Sequence, residues 1–262
     1  MCTITLIARE KGFLLGMNRD EKRSRPQGLP PSERHIGSYR AIYPSEPGGG
    51  TWISLNNCGV TLALINWYSV PGRVTTSPVS RGEVIPSMNT AGCAESVDIA
   101  FSKLPLWRIN PFRLVGIFLE SKEVLEWQWD LSQLARKAHH WRSQQWISSG
   151  FDEPTAETIR SQTFRQFLTQ PSAGRSDWLR RLHASHTPEC GPFSTCMHRS
   201  DAVTVSYTQV SVSPCKASLR HSSRAPCEAA EHEHDFDLEP LRFGLLRNRA
   251  SRPTVPCERV TS

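Results

Sequence analysis

The sequence predicts an α+β fold in which two stacked, mainly antiparallel sheets are flanked by helices. Three observations lead there. Apolar runs of strand length come in pairs across short polar turns, at the N-terminus and again around residues 52–67 and 113–129. Segments with helical apolar spacing stand apart from these pairs. A long strand-like run, Val203–Val212, closes the pattern. Strands in pairs, then helices, then a strand suit sheets packed face to face with helices outside.

The first pair is Cys2–Ala8 and Phe13–Glu21, joined by Arg9-Glu10-Lys11-Gly12. The next stretch, Pro26 to Gly50, is rich in Pro and Gly and reads as a long loop of the kind that borders a site. Trp52–Leu55 and Val60–Trp67 form a hairpin across Asn56-Asn57-Cys58-Gly59. Val97, Ala100, Phe101 and Leu104 place a helix over Ala94–Leu104. Arg113–Leu119 and Val124–Trp129 make a second hairpin. Helices are expected over Thr155–Leu168 (Ile159, Phe164, Phe167, Leu168) and Asp177–Leu182. One domain is thus expected over residues 1–212. From Cys215 on, Ser, Arg, Pro and Glu mix without periodicity, and 213–262 is expected to be a disordered tail. Its Glu231-His232-Glu233-His234-Asp235 run reads as a solvated acidic stretch rather than a metal site.

A chain of 262 residues, 38% of them hydrophobic, can bury a proper core. No run approaches the ~20 apolar residues that a membrane span needs. The apolar start is too short for a secretory signal, so the expectation is a cytoplasmic protein with its eight cysteines reduced. The net charge of +6 is scattered. Its densest early patch, Lys22-Arg23-Ser24-Arg25, lies beside Asp20 and Glu21, which argues against nucleic-acid binding.

Chemistry concentrates at the N-terminus. A small residue after Met1 allows the initiator to be removed, leaving Cys2 with both a thiol and a free α-amine. The amine titrates at roughly 7.7–8.0 and a free thiol at about 8.5, so the amine can take the thiol's proton near neutral pH. The hairpin returns Asn18-Arg19-Asp20-Glu21 toward Cys2, where Arg19 and Asp20 are placed to hold the amine and lower the thiol pKa. The alternation of strand faces puts Asn18 and Asp20 on one side and Arg19 on the other. Late in the chain, His183, His186, Cys190, Cys196 and His198 are zinc-type ligands. Their spacing is irregular and contains no Cys-x-x-Cys pair, so the stretch reads as a loop crossing near the nucleophile rather than a zinc site.

Met1-Cys2-Thr3-Ile4 and Gly16-Met17-Asn18-Arg19-Asp20-Glu21 resemble the Asn-Arg-Asp-Glu (NRDE) family, the transport and Golgi organisation 2-like proteins. Further matches are Gly49-Gly50-Thr51-Trp52-Ile53, Gly59–Asn66, Ser80-Arg81-Gly82-Glu83 and Met197–Ser206, in order over residues 1–212. The chain also resembles, more distantly, the choloylglycine hydrolase and penicillin V acylase branch of N-terminal nucleophile hydrolases. These resemblances imply a four-layer αββα sandwich and no cofactor. They imply a site of Cys2, Asn18, Arg19, Asp20 and Asn66, with Asn66 where the hydrolases place an oxyanion-hole amide; as a residue it reads equally as a strand-end turn. Two departures stand out: Ser149 occupies a position where those hydrolases carry asparagine, and Met17 one where bile-salt hydrolases carry arginine. Arg19, two residues on, lies on the same strand face as Met17 and is placed to compensate.

Two function classes follow. One is hydrolysis of a non-peptide amide through a thioester on Cys2. The other, implied by the resemblance to the Asn-Arg-Asp-Glu family, is binding or trafficking of a hydrophobic small molecule such as haem or an acyl lipid. The expected partner in either case is a small molecule.

Overall fold

The computed structural model describes residues 2–228 and 233–239. Two sheets face each other, and every strand pair in both is antiparallel. The first is built on the hairpin of β1 (Cys2–Arg9) and β2 (Gly12–Lys22). β10 (Gln144–Ser148) pairs with the free side of β1. On the other side β2 pairs with β11 (Ala202–Val212), which carries β12 (Ala217–Ser222) and β13 (Glu233–Leu238). Cys2 therefore opens an interior strand.

The second sheet runs in chain order: β3 (Leu29–Ile36), β4 (Tyr39–Ser45), β5 (Ile53–Asn56), β6 (Val60–Asn66), β7 (Phe112–Phe118), β8 (Glu123–Trp129) and β9 (Leu134–His139). Helix α1 (Ala94–Phe101) covers its outer face, packing Val97 and Phe101 against Leu62, Phe112 and Trp127. Helices α2 (Glu153–Leu168) and α3 (Ser176–His183) cover the first sheet, with Phe164, Trp178 and Leu182 packed on Ile7 and Leu14. Between the sheets lies the main core, where Ile4, Leu6, Leu15 and Met17 meet Ile53, Ile65, Val115 and Ile117. The result is the expected αββα layering. No helix among the described residues is long and apolar enough to cross a membrane.

Two expectations are corrected. The stretch from Pro26 to Gly50 is a strand hairpin, β3–β4, rather than a loop. Prolines ordinarily argue against a strand, but β3 lies at the sheet edge, and its register shifts between Leu29 and Ser32, across Pro30 and Pro31, where no ladder donor is needed. The sheet also continues past residue 212: β12 and β13 lie in the segment expected to be disordered. Ala217, Leu219 and His221 turn inward along β12 while Ser218 and Arg220 are more exposed. Residues 229–232 and 240–262, including part of the acidic His-rich run, lie outside the described residues.

Candidate active site around Cys2

β1 places Cys2 opposite Arg19 of β2 on one side and Ser148 of β10 on the other. Its side chain belongs to the inter-sheet face with Ile4 and Leu6, at the end of the core. There it lines a cavity of about 340 Å³ together with Arg19, Asp20, Asn66 and Arg81. Burial pushes the Cys2 thiol up. The positive charge of the chain's N-terminus opposes this, the Asp20 carboxylate adds to it, and a hydrogen bond from the Asp20 backbone with the charge of Arg19 opposes it again. Desolvation wins, so the lowered thiol expected from the sequence is corrected: the neighbouring cations are outweighed by the dry surroundings.

Arg19 points into the cavity. Its guanidinium stacks 4.3 Å above the Trp52 ring, and Nη2 donates to Glu46 Oε1 at 2.6 Å. Arg25 bridges the same two acids, Glu21 at 3.0 Å and Glu46 at 2.7 Å. Glu21 also meets Arg19 at 3.3 Å, so two guanidiniums and two carboxylates form a balanced ring at the mouth. Arg81 is different: it donates to the Pro111 carbonyl at 3.2 Å and, among the described residues, has no carboxylate within ion-pair distance. Two glycines bring it there. A Cβ on Gly50 or Gly82 would come within about 3 Å of the other's backbone, so the Gly49-Gly50-Thr51 and Ser80-Arg81-Gly82 turns touch, joined by Thr51 N–H to Gly82 O at 3.0 Å.

Asp20 and Asn18 serve the opposite face. Asp20 Oδ1 accepts from Thr204 Oγ1 at 2.6 Å, and Oδ2 lies 3.5 Å from Arg160 Nη1, with both side chains of that pair fully buried. Arg160 projects from α2 and donates to Thr3 Oγ1 at 2.7 Å and to the carbonyls of Pro192 and Phe193. Opposite Asp20 the ladder shifts register between Thr204 and Ser206, a bulge that brings Thr204 to the carboxylate. Asn18 does not enter the cavity. Its amide donates to the carbonyls of His183 (2.9 Å) and Thr195 (2.8 Å), tying β2 to the end of α3 and the loop beyond.

Asn66 lines the cavity from the end of β6, its Nδ2 donating to the Tyr68 hydroxyl at 2.8 Å. Ser149 turns toward α2: its N–H donates to Glu153 Oε1 at 3.4 Å and its hydroxyl accepts from Phe151 N–H. Met17 is fully buried in the inter-sheet core on the face of Arg19. His183 is a buried side chain of α3 whose Nε2 lies 2.9 Å from Thr5 Oγ1, in space that exists because residue 16 is glycine. Sequence reasoning missed Arg81 and Arg160. Arg81 stood inside a recognised motif, whereas Arg160 looked like a polar position on an ordinary helix.

The two facing antiparallel sheets between helical layers form an α+β sandwich of the N-terminal nucleophile hydrolase-like fold, with a cysteine at the head of an interior strand. Solved structures agree on the fold. Penicillin V acylase from Agrobacterium tumefaciens superposes with a TM-score of 0.52 at 12% identity, over 91% of this chain and 86% of that one. A mutant of the conjugated bile acid hydrolase from Clostridium perfringens gives 0.53 at 8% identity, over 90% and 96%. A second variant of that hydrolase gives 0.51 at 9% identity, over 91% and 97%. No family model matches the chain, and no curated protein matches it. The resemblance to the Asn-Arg-Asp-Glu family therefore rests on its motifs alone.

Proposed function

We propose that this protein is a cysteine N-terminal nucleophile hydrolase that cleaves a non-peptide C–N amide bond through Cys2. The observation that carries the proposal is the position of Cys2, at the wall of a cavity it shares with Asn66 and the guanidiniums of Arg19, Arg25 and Arg81. Removal of the preceding residue frees the Cys2 α-amine as the base. The amine takes the thiol proton, the sulfur attacks the amide carbonyl carbon, and the carbonyl electron pair moves onto oxygen. Asn66 Nδ2, released from the Tyr68 hydroxyl, donates to that oxyanion. Collapse breaks the C–N bond, and the departing amine carries away the proton held on the α-amine. Water, deprotonated by the same α-amine, then attacks the thioester, releasing the acid and restoring the thiol. Asp20, fixed by Thr204 and Arg160, is the partner for the ammonium form of the base.

Arg81, with no carboxylate partner among the described residues, suits a substrate carrying an anionic group, such as an N-acyl amino acid. A carrier for haem or an acyl lipid calls for an apolar cavity, whereas Arg19, Arg25, Arg81, Glu21 and Glu46 line this one. The test is hydrolysis of a panel of N-acyl amino acids of varied acyl chain, followed by amine release. Turnover present in the wild type and lost in Cys2→Ala supports the hydrolase. Asn66→Ala is expected to lower kcat by about 10²-fold, the usual cost of one oxyanion donor. No turnover across the panel, with saturable haem or acyl-lipid binding that Cys2→Ala leaves unchanged, contradicts it.

A further inference from the structure

We propose that His186, Cys196, His198 and Cys227 form a structural zinc site. Their ligand atoms all lie within 4.8 Å of one another. The two sulfurs are 3.4 Å apart, and His198 Nε2 lies 3.6 Å from Cys196 Sγ and 3.5 Å from Cys227 Sγ. A tetrahedral zinc with Zn–S near 2.3 Å and Zn–N near 2.0–2.1 Å sets ligand–ligand edges of about 3.4–3.8 Å. The sulfurs stand too far apart for the ~2.05 Å of a disulfide. The imidazoles of His186 and His198 meet edge to face, 4.9 Å between ring centres, and His186 Nε2 is buried with no hydrogen-bond partner. A buried imidazole nitrogen beside two thiols and a second imidazole is a donor set lacking its acceptor, and a cation supplies one. Two thiolates and two imidazoles select zinc over the hard cations that prefer oxygen. Four protein ligands complete the tetrahedron and leave no open position, which makes the site structural rather than catalytic.

Sequence spacing argued against zinc in this stretch, but the folded chain groups these residues differently from their order in the sequence. Two of the residues it weighed do not belong: His183 is held by Thr5, and Cys190 is exposed and outside the cluster. The fourth ligand, Cys227, lies beyond the expected domain end, in the turn after β12. The ligands thus come from three places, the loop after α3, the segment leading into β11, and that turn. Zinc would staple them where they support the site. Met197, next to Cys196, donates its N–H to Thr204 Oγ1 at 2.8 Å, and Thr204 in turn donates to Asp20. Thr195, on the other side of Cys196, accepts from Asn18.

The test is metal analysis of the full chain, purified without chelator, with cobalt substitution as a second readout. About one zinc per chain is expected, and the cobalt form should show the intense visible bands of tetrahedral coordination with sulfur-to-cobalt charge transfer in the near ultraviolet. Cys227→Ser, at an exposed position, and His186→Ala should each cut bound metal at least severalfold, while Cys215→Ser leaves it unchanged. Stripping zinc should lower the melting temperature, and zinc but not magnesium should restore it. Less than about a tenth of an equivalent after loading with excess zinc overturns the proposal. So does metal content that Cys196→Ser and Cys227→Ser both leave unchanged, or a Cys196–Cys227 disulfide in the chain isolated without reductant.

Discussion

The two faces of the β1–β2 hairpin use the same short motif for opposite purposes. On the inter-sheet face, Cys2, Met17 and Arg19 run from dry core to cavity, and the last polar side chain, Arg19, meets Trp52 and Glu46 at the opening. On the helix face, Thr3, Asn18 and Asp20 are sealed under α2 and α3 by Arg160, Thr204 and two backbone carbonyls. Asn18-Arg19-Asp20 reads as one constellation in the sequence, but the two-residue period of a strand divides it. One member faces the cavity, one serves the scaffold, and Asp20 lines the cavity while its carboxylate is anchored behind it. The comparison predicts that changes on the cavity face cost turnover first and changes on the helix face cost stability first.

The largest effect should come from the cavity face. Cys2→Ala removes the covalent route altogether and should abolish amide hydrolysis, while far-ultraviolet dichroism and the melting temperature stay near wild type. A variant that unfolds instead would erase the distinction between the faces. Next is Arg160→Met, which keeps the volume but leaves the buried Asp20 carboxylate without its guanidinium. The expected loss is about 3–5 kcal/mol of unfolding free energy, read from the urea midpoint. Asn18→Ala should cost about 1–3 kcal/mol by stranding the carbonyls of His183 and Thr195, with kcat per folded molecule little changed. A selective loss of kcat with normal stability would move Asn18 back into the catalytic set.

Acid sensitivity sharpens the same comparison. Burial, with the charge of Arg160, lowers the His183 pKa from 6.5 to about 3. Burial, with His234 and Arg19, does the same for His221. The unfolded chain takes up these protons near pH 6.5 and the folded chain only near 3. Stability is therefore unaffected by these groups above pH 6.5 and falls as pH drops through that window. Urea midpoints measured from pH 7 to pH 4 should decline, and His183→Gln should make the decline shallower.

Much of the molecule was legible in the sequence because its signals are local. The paired apolar runs gave the β5–β6 and β7–β8 hairpins, helical spacing gave α1 to α3 within a few residues, and the first hairpin brought Cys2 to Arg19 and Asp20. What escaped is non-local or runs against propensity. The β3 edge strand hides behind Pro30 and Pro31, and β12 is a short strand in a polar, proline-flanked segment. Arg160 gains its role only when α2 docks on Thr3. The Cys227 thiol reaches His198 across 29 residues of chain, a pairing that no spacing rule announces.

The central claim, that Cys2 is an N-terminal nucleophile, is tested most directly by trapping the acyl-enzyme. The wild-type chain is mixed with N-acyl p-nitroanilides of varied acyl chain, quenched in acid, and its N-terminal peptide is analysed by mass. A peptide that begins at Cys2 and carries the acyl group is expected, absent from Cys2→Ala. An N-terminal peptide that still retains Met1 and is never acylated, from protein that turns the same compounds over, would contradict it.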